Sequence, residues 1–164
     1  MSIKLIKNSN LLNSEAKYLT NAVNCIGVMG AGIAKQFADK YPTMYTEYKD
    51  LCKKGVYELG KPRIHRVDNG KYVINFPTMK YPGSKANIVD ITKGLQYLRD
   101  RLKQDYEYDF IPFTVAMCAL GCGIGGLKVQ DVYNEVEKVF KYTNWCNVEF
   151  YLPENCNEIN QIEA

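Results

Sequence analysis

Apolar residues recur along the chain with two periods, and the two alternate. Residues 2–7 (SIKLIK) alternate polar and apolar, which predicts a half-buried strand. A short, mostly apolar run over 19–26 predicts a second strand. After Gly27 and Gly30, the residues Ile33, Ala34, Phe37, Ala38 and Tyr41 fall at helical spacings. Pro42 then opens a second short helix carrying Tyr45, Tyr48 and Leu51, which Gly55 ends. Residues 63–67 and 71–76 read as strands joined through Asp68-Asn69-Gly70, a strong hairpin signal. Ile88, Ile91, Leu95, Leu98 and Leu102 define the clearest amphipathic helix. An apolar strand over 111–120, a helix carrying Val129, Val132, Val136, Val139 and Phe140, and a closing strand over 148–152 complete the pattern.

Helices separated by strands predict a layered α/β domain, its mixed sheet covered on both faces. The hairpin adds one antiparallel pair to a sheet otherwise built by crossover connections. With 164 residues, one domain over 1–153 is expected, with a polar, frayed tail over 154–164. A chain of this length buries roughly 70% of its unfolded surface.

Charge changes the picture little. The 21 basic and 18 acidic residues are interspersed, and no basic stripe demands a nucleic-acid backbone. The opening MSIKLIKNSN lacks the apolar core of a signal peptide, and no run nears the roughly 20 apolar residues that cross a bilayer. The expectation is a cytoplasmic monomer with no membrane partner. The six cysteines show no CxxC, and the single histidine, His65, excludes a histidine-rich metal site. Lysine, asparagine and tyrosine content fits an AT-rich genome, a viral one among the candidates.

Two glycine loops carry the candidate chemistry. Gly121-x-Gly123-x-x-Gly126 follows a strand and precedes a helix, the setting of a phosphate-binding turn. Glycine lets backbone amides approach an anion, and the helix start adds partial positive charge. A dinucleotide fold would need an acid about 20 residues later, at the end of the next strand. Glu149 is the only candidate and lies inside the final strand, so a nicotinamide dehydrogenase is disfavoured. The segment Cys25-Ile26-Gly27-Val28-Met29-Gly30-Ala31-Gly32-Ile33-Ala34 also links a strand to a helix. Two such loops suit a ligand with two phosphates; tight connections that need small residues are the bland alternative. Asn24, at the strand end, offers donor and acceptor to a sugar, or else caps its own turn.

NAVNCIGVMGAGIAKQF followed by ALGCGIGGL resembles the macrodomain family, which binds ADP-ribose. The likeness extends over nearly the whole chain, through Asn10-Leu11-Leu12, Tyr41-Pro42, Asn75-Phe76-Pro77-Thr78 and Gly94-Leu95. It points to the macrodomains of DNA ADP-ribosyl glycohydrolase antitoxins and to phage and yeast ADP-ribose-1″-phosphate processing proteins. The resemblance implies a three-layer α/β/α fold on a mixed central sheet, with a cleft across the C-terminal strand ends and no cofactor or metal. It implies that Asn10 meets the adenine and Asn24 the distal ribose. By the same likeness Gly30, Ala31, Gly32, Ile33 and Ala34 form the first phosphate loop. Leu120, Gly121, Cys122, Gly123, Ile124 and Gly125 form the second, with Pro77, Thr78 and Met79 beside them.

Two departures follow. In the antitoxin subgroup a lysine linked to hydrolysis directly follows the threonine of this segment; here that position is Met79, and the lysine is Lys80. Neighbours on an extended segment point in opposite directions, so Lys80 either swings into the cleft or is a solvated surface lysine. A related eukaryotic subgroup uses an aspartate where this chain has Gly125 and Gly126. Catalysis is then expected to rest on Asn24, Lys80 and the diphosphate itself, which orders water against a cation-like ribosyl centre. Cys122 is expected to be a small inert residue, and His65 a strand surface residue. The expected partner is ADP-ribose or an ADP-ribosylated substrate, nucleic acid among them. The expected activity is hydrolysis of an ADP-ribosyl linkage, or else binding of ADP-ribose or a derived signalling nucleotide without turnover.

Overall fold

The computed structural model describes residues 3–154, 156, 159 and 160, and six strands within it form one sheet. They are β1 (Ile3–Ile6), β2 (Tyr18–Val23), β3 (Arg63–Arg66), β4 (Tyr72–Pro77), β5 (Phe113–Cys118) and β6 (Cys146–Tyr151), in the order β1-β6-β5-β2-β4-β3. All neighbouring pairs are parallel except β3 and β4, the expected hairpin, which is closed by a short 3-10 turn with Asn69 at φ 57°. Five parallel strands therefore end on one edge of the sheet.

The helices are α1 (Gly32–Lys40), α2 (Pro42–Lys53), α3 (Ile88–Asp109) and α4 (Val129–Phe140). Alternation along β2 sends Tyr18 to one face and Leu19 to the other, and each joins a separate core. Tyr18, Phe76, Leu95, Leu98, Val136 and Phe150 belong to the core under α3 and α4. Leu19, Phe37, Met44, Tyr48 and Val73 belong to the core under α1 and α2. Strands buried on both faces read as apolar runs, which is why β2 and β5 could be recognised without strict alternation.

The differences from expectation are local. The second strand stops at Val23 rather than running to residue 26, because Asn24 turns the chain. A 3-10 turn at Leu11–Asn13, capped by Asn10, has no counterpart in the periodicity. The long helix runs to Asp109, past its last periodic leucine, and ends on Phe110 in the left-handed region at φ 55°. Of the strand expected over 2–7, Ser2 lies outside the described residues. So does most of the tail: within it, Ile159 packs on the α3/α4 core, and Gln130 both donates to the Asn160 carbonyl (2.9 Å) and accepts from its amide (2.8 Å).

In α3, Gly94 faces the ring of Phe76 so closely that a Cβ on it would stand 2.4 Å from the ring Cζ. The helix can lie on β4 at this distance only because residue 94 has no side chain. No helix among the described residues is long and apolar enough to cross a membrane.

Candidate functional site

The parallel strands deliver their C-terminal ends to one edge, where open α/β sheets present ligand crevices. A cavity of about 710 Å³ opens there, lined by residues 8–11 and 151–154 with Ile33, Gln36, Cys118 and Ala119. Of the residues singled out from sequence, Asn10 and Ile33 face this cavity. The carboxamide oxygen of Asn10 accepts from Leu12 N (3.0 Å), and its Nδ2 donates to Gln36 Oε1 (3.1 Å). Gln36, Tyr151 and Glu154 were missed. Gln36 lies three residues after Ile33 on α1, so the helical repeat would have pointed to it; Tyr151 and Glu154 are brought in by the end of β6.

Beside the cavity, the first glycine loop leads into α1. Its N-cap, Ala31, is extended and has no side chain to cap the helix. The amides of residues 30–34 find no acceptor among the described residues, so the helix presents a row of free N–H groups at its positive end. Opposite, the second loop folds on itself: Cys122 N donates to Ala119 O (3.2 Å), Gly126 N to Gly123 O (3.1 Å) and Leu127 N to Gly121 O (3.0 Å). The amides of Gly123, Ile124 and Gly125 are left without an acceptor among the described residues. Two sets of unpaired amides therefore follow the C-terminal ends of the parallel strands β2 and β5.

The glycines separate into two kinds. Gly121 has φ +74°, and a Cβ there would meet Ala86 at 2.9 Å; a Cβ on Gly125 would stand 2.5 Å from the Gly121 carbonyl. Both are fixed by their own fold. Gly123 has neither constraint: its φ is not positive, and nothing lies within 4 Å of a Cβ built on it. Gly30 is nearly as free, with only Val28 Cγ1 at 3.6 Å. Internal packing explains Gly121 and Gly125 but leaves Gly30 and Gly123 unexplained.

Asn24 is buried, and its side chain orders the first loop. Its Oδ1 accepts from Ile26 N (3.1 Å) and Val28 N (3.4 Å) and lies 2.9 Å from the Tyr48 hydroxyl, while Nδ2 donates to Val28 O (2.7 Å). The turn-capping alternative thus describes what this side chain does here, and only its second Nδ2 hydrogen remains for a ligand.

Pro77 ends β4, Thr78 is buried with its amide on Val23 O (2.9 Å), and Met79 is half-buried. Lys80 is exposed, as the surface alternative has it, yet its backbone is anchored: Cys25 N donates to its carbonyl (3.1 Å). Burial pushes the Cys25 thiol above its usual value, and the Lys80 ammonium partly offsets this. Leu120 is fully buried, and Ile124 stands out into solvent at the loop tip. Burial pushes the Cys122 thiol up to about 12, which favours its protonated form.

Two other sequence candidates lie away from the edge. Glu149 accepts from Ser14 Oγ (2.6 Å) and Tyr151 Oη (3.2 Å) within the fold and offers no ribose carboxylate. His65 corrects the expectation of a surface residue: it is 7% exposed, with Nε2 2.7 Å from Tyr57 Oη and Nδ1 3.2 Å from Glu47 Oε2. Alternation along β3 turns it inward, where Tyr57 accepts in turn from Asn75 Nδ2 (3.2 Å) and Asn75 Oδ1 accepts from Asn21 Nδ2 (3.1 Å). Asn75 thus braces β4 against β2 below the site.

Known proteins resemble this chain in sequence and in fold. The family model described as "Macro domain" matches residues 20–136. The DNA ADP-ribosyl glycohydrolase of Mycobacterium tuberculosis is 37% identical over 135 residues, covering 80% of this chain and 37% of that protein. The chain thus spans less than two-fifths of the length of such curated relatives. The solved macrodomain of M. tuberculosis DarG superposes with a TM-score of 0.83 at 34% identity, covering 92% of this chain and 97% of that one. Thermosipho africanus DarTG, solved in complex with ADP-ribose, gives 0.83 at 27% identity, covering 96% of this chain and 43% of that one. The family match over most of the chain, the 37% identity and the close superposition agree, and the chain belongs to the macrodomain family.

Proposed function

We propose that this macrodomain binds ADP-ribose across the sheet edge and hydrolyses the bond that joins it to a nucleic-acid base. The observation that carries the reading is the freedom at Gly30 and Gly123: each is glycine where its own fold demands none, and each lies in a row of unpaired amides. An external anion that must touch the backbone accounts for both. The adenosine takes the cavity beside Asn10, Gln36 and Tyr151. The diphosphate lies between residues 30–34 and 123–125, and the distal ribose reaches the turn of Asn24, whose remaining Nδ2 hydrogen meets a hydroxyl.

Hydrolysis departs through a cation-like ribosyl centre, so the site must hold water near the anomeric carbon and stabilise the base as it leaves. The bound diphosphate stabilises the positive centre and orders that water. Lys80, fixed at its backbone to Cys25, supplies the ammonium that protonates the leaving base. General acid help of this kind is worth about 10² to 10⁴ in rate. The protein acts as a cytoplasmic monomer, in keeping with thiols rather than disulfides at Cys25, Cys52, Cys118, Cys122 and Cys146.

Purified protein incubated with an ADP-ribosylated oligonucleotide, an ADP-ribosylated protein and ADP-ribose-1″-phosphate tests the reading. Release of ADP-ribose from the oligonucleotide is expected, and no release from any of the three would refute hydrolysis. Met79 favours a second reading, a binder that sequesters ADP-ribose without turnover. Under that reading Met79→Lys creates a hydrolase from an inactive parent; under the first it adds little to an existing rate.

A further inference from the structure

The segment 80–86, KYPGSKA, is tied at both ends to the two glycine loops. Cys25 N donates to Lys80 O (3.1 Å) at one end, and Ala86 N donates to Gly125 O (3.0 Å) at the other. Between these ties the chain makes a tight turn: Ser84 N donates to Tyr81 O (3.1 Å), Ser84 Oγ bonds the same carbonyl (2.5 Å) and accepts from Tyr81 N (3.2 Å), and Gly83 has φ +79°. These bonds tie the strap at both ends and in its turn, and Tyr81 is 54% exposed, with the Lys80 ammonium 5.6 Å from the ring centroid. Its last lysine, Lys85, runs along the second loop, where a Cβ on Gly126 would come 3.3 Å from its Nζ.

Charge is one-sided here. Residues 24–38, 75–89 and 110–130, which hold both loops and the strap, contain no aspartate or glutamate, although the chain has 18. Two carboxylates from outside these segments act on the loops: Glu58, paired with Lys61 at 3.2 Å, raises the Cys25 thiol, and Asp131, in the first turn of α4, raises the Cys122 thiol. An exposed aromatic ring with one ammonium beside it and a second along the adjoining glycine loop, on a segment with no carboxylate of its own, is a combination that takes a base on its face and a phosphate nearby.

We propose that the strap is a subsite for single-stranded nucleic acid, in which Tyr81 stacks on the base next to the modified one and Lys85 holds the intervening phosphate. A base whose sugar-linked adduct enters the cleft must leave the helical stack, and its neighbour then presents a bare face. Tyr81 covers that face. The inference rests on the reading of the cleft as an ADP-ribose site and adds where the nucleotide next to the modified one is held.

The test compares four probes by competition against fluorescent ADP-ribose in the cold: free ADP-ribose, an ADP-ribosylated nucleoside, a single-stranded oligonucleotide with one ADP-ribosylated base, and an ADP-ribosylated peptide. The oligonucleotide is expected to bind about tenfold more tightly than the nucleoside. Tyr81→Ala and Lys85→Gln should each remove about tenfold from the oligonucleotide alone, Tyr81→Trp should restore it, and Lys85→Gln should lower the salt slope by about 0.7. Unchanged oligonucleotide affinity in both variants, with ADP-ribose still bound, overturns the subsite but not the cleft. Equal losses on the peptide overturn the nucleic-acid assignment. Failure of the parent protein to bind free ADP-ribose overturns the reading of the cleft itself.

Discussion

The hydroxyl of Tyr48 lies 2.7 Å from the backbone carbonyl of Asn24 and 2.9 Å from its carboxamide oxygen, so a fully buried side chain of α2 sets the turn that leads into the first glycine loop. Burial holds this phenol well above its usual titration range, which keeps the donor proton in place at any working pH. Replacing Tyr48 with phenylalanine strands the Asn24 carbonyl at little change in shape, while Asn24 Oδ1 keeps the Ile26 and Val28 amides. A stability loss of about 1 to 3 kcal/mol is expected. Because the turn loosens, ADP-ribose affinity should fall severalfold as well. Thermal unfolding and calorimetry read the two effects separately; lost stability with unchanged affinity would mean that the turn keeps its shape without Tyr48.

The two kinds of glycine separate by substitution. Gly123→Ala adds a methyl group to open space and should change stability by less than about 0.5 kcal/mol. It should nevertheless weaken ADP-ribose binding at least tenfold, because the methyl occupies the approach to free amides. Gly125→Ala forces a Cβ to within 2.5 Å of the Gly121 carbonyl and should destabilise the fold by about 2 kcal/mol or more. If alanine at 123 binds as well as the parent, no ligand touches that backbone.

His65 gives the fold a pH dependence. Burial lowers its pKa below the usual value near 6.5, with the adjacent Glu47 carboxylate opposing the shift. Neutral imidazole accepts the Tyr57 proton at Nε2 and donates from Nδ1 to Glu47; protonation would place two donors against each other at Tyr57. The unfolded chain therefore binds the proton more readily. The stabilisation is fully present above about pH 6.5 and is lost as pH falls through the folded pKa, at no more than about 1.4 kcal/mol per pH unit. Urea unfolding of the parent and of His65→Gln at pH 7 and at pH 5 should show a steeper decline for the parent. Parallel declines would exclude His65 as the source.

Much of this was legible in the chain, for reasons that differ by element. The apolar spacing from Ile88 to Leu102 fixed the long helix, and Asn69-Gly70 fixed the hairpin, because both signals are local. The glycine loops announced themselves, but which glycines serve packing and which serve a ligand depends on Ala86 and Leu127, which only the fold brings to Gly121. His65 was misread because its partners, Glu47 and Tyr57, lie 18 and 8 residues away in sequence. Tyr151 and Glu154 escaped notice because an edge cavity belongs to strand ends that converge in space.

Gly94 sits on the far side of β4 from the first glycine loop, yet it sets how deep Phe76 sinks and hence where Pro77, Thr78 and Met79 emerge. One missing methyl on an outer helix works as a spacer gauge for the rim of the cleft. Enlarging it would push the strand end outward and misalign the rim with Lys80 and Asn24, so a change that no ligand touches would be felt where the sugar must sit.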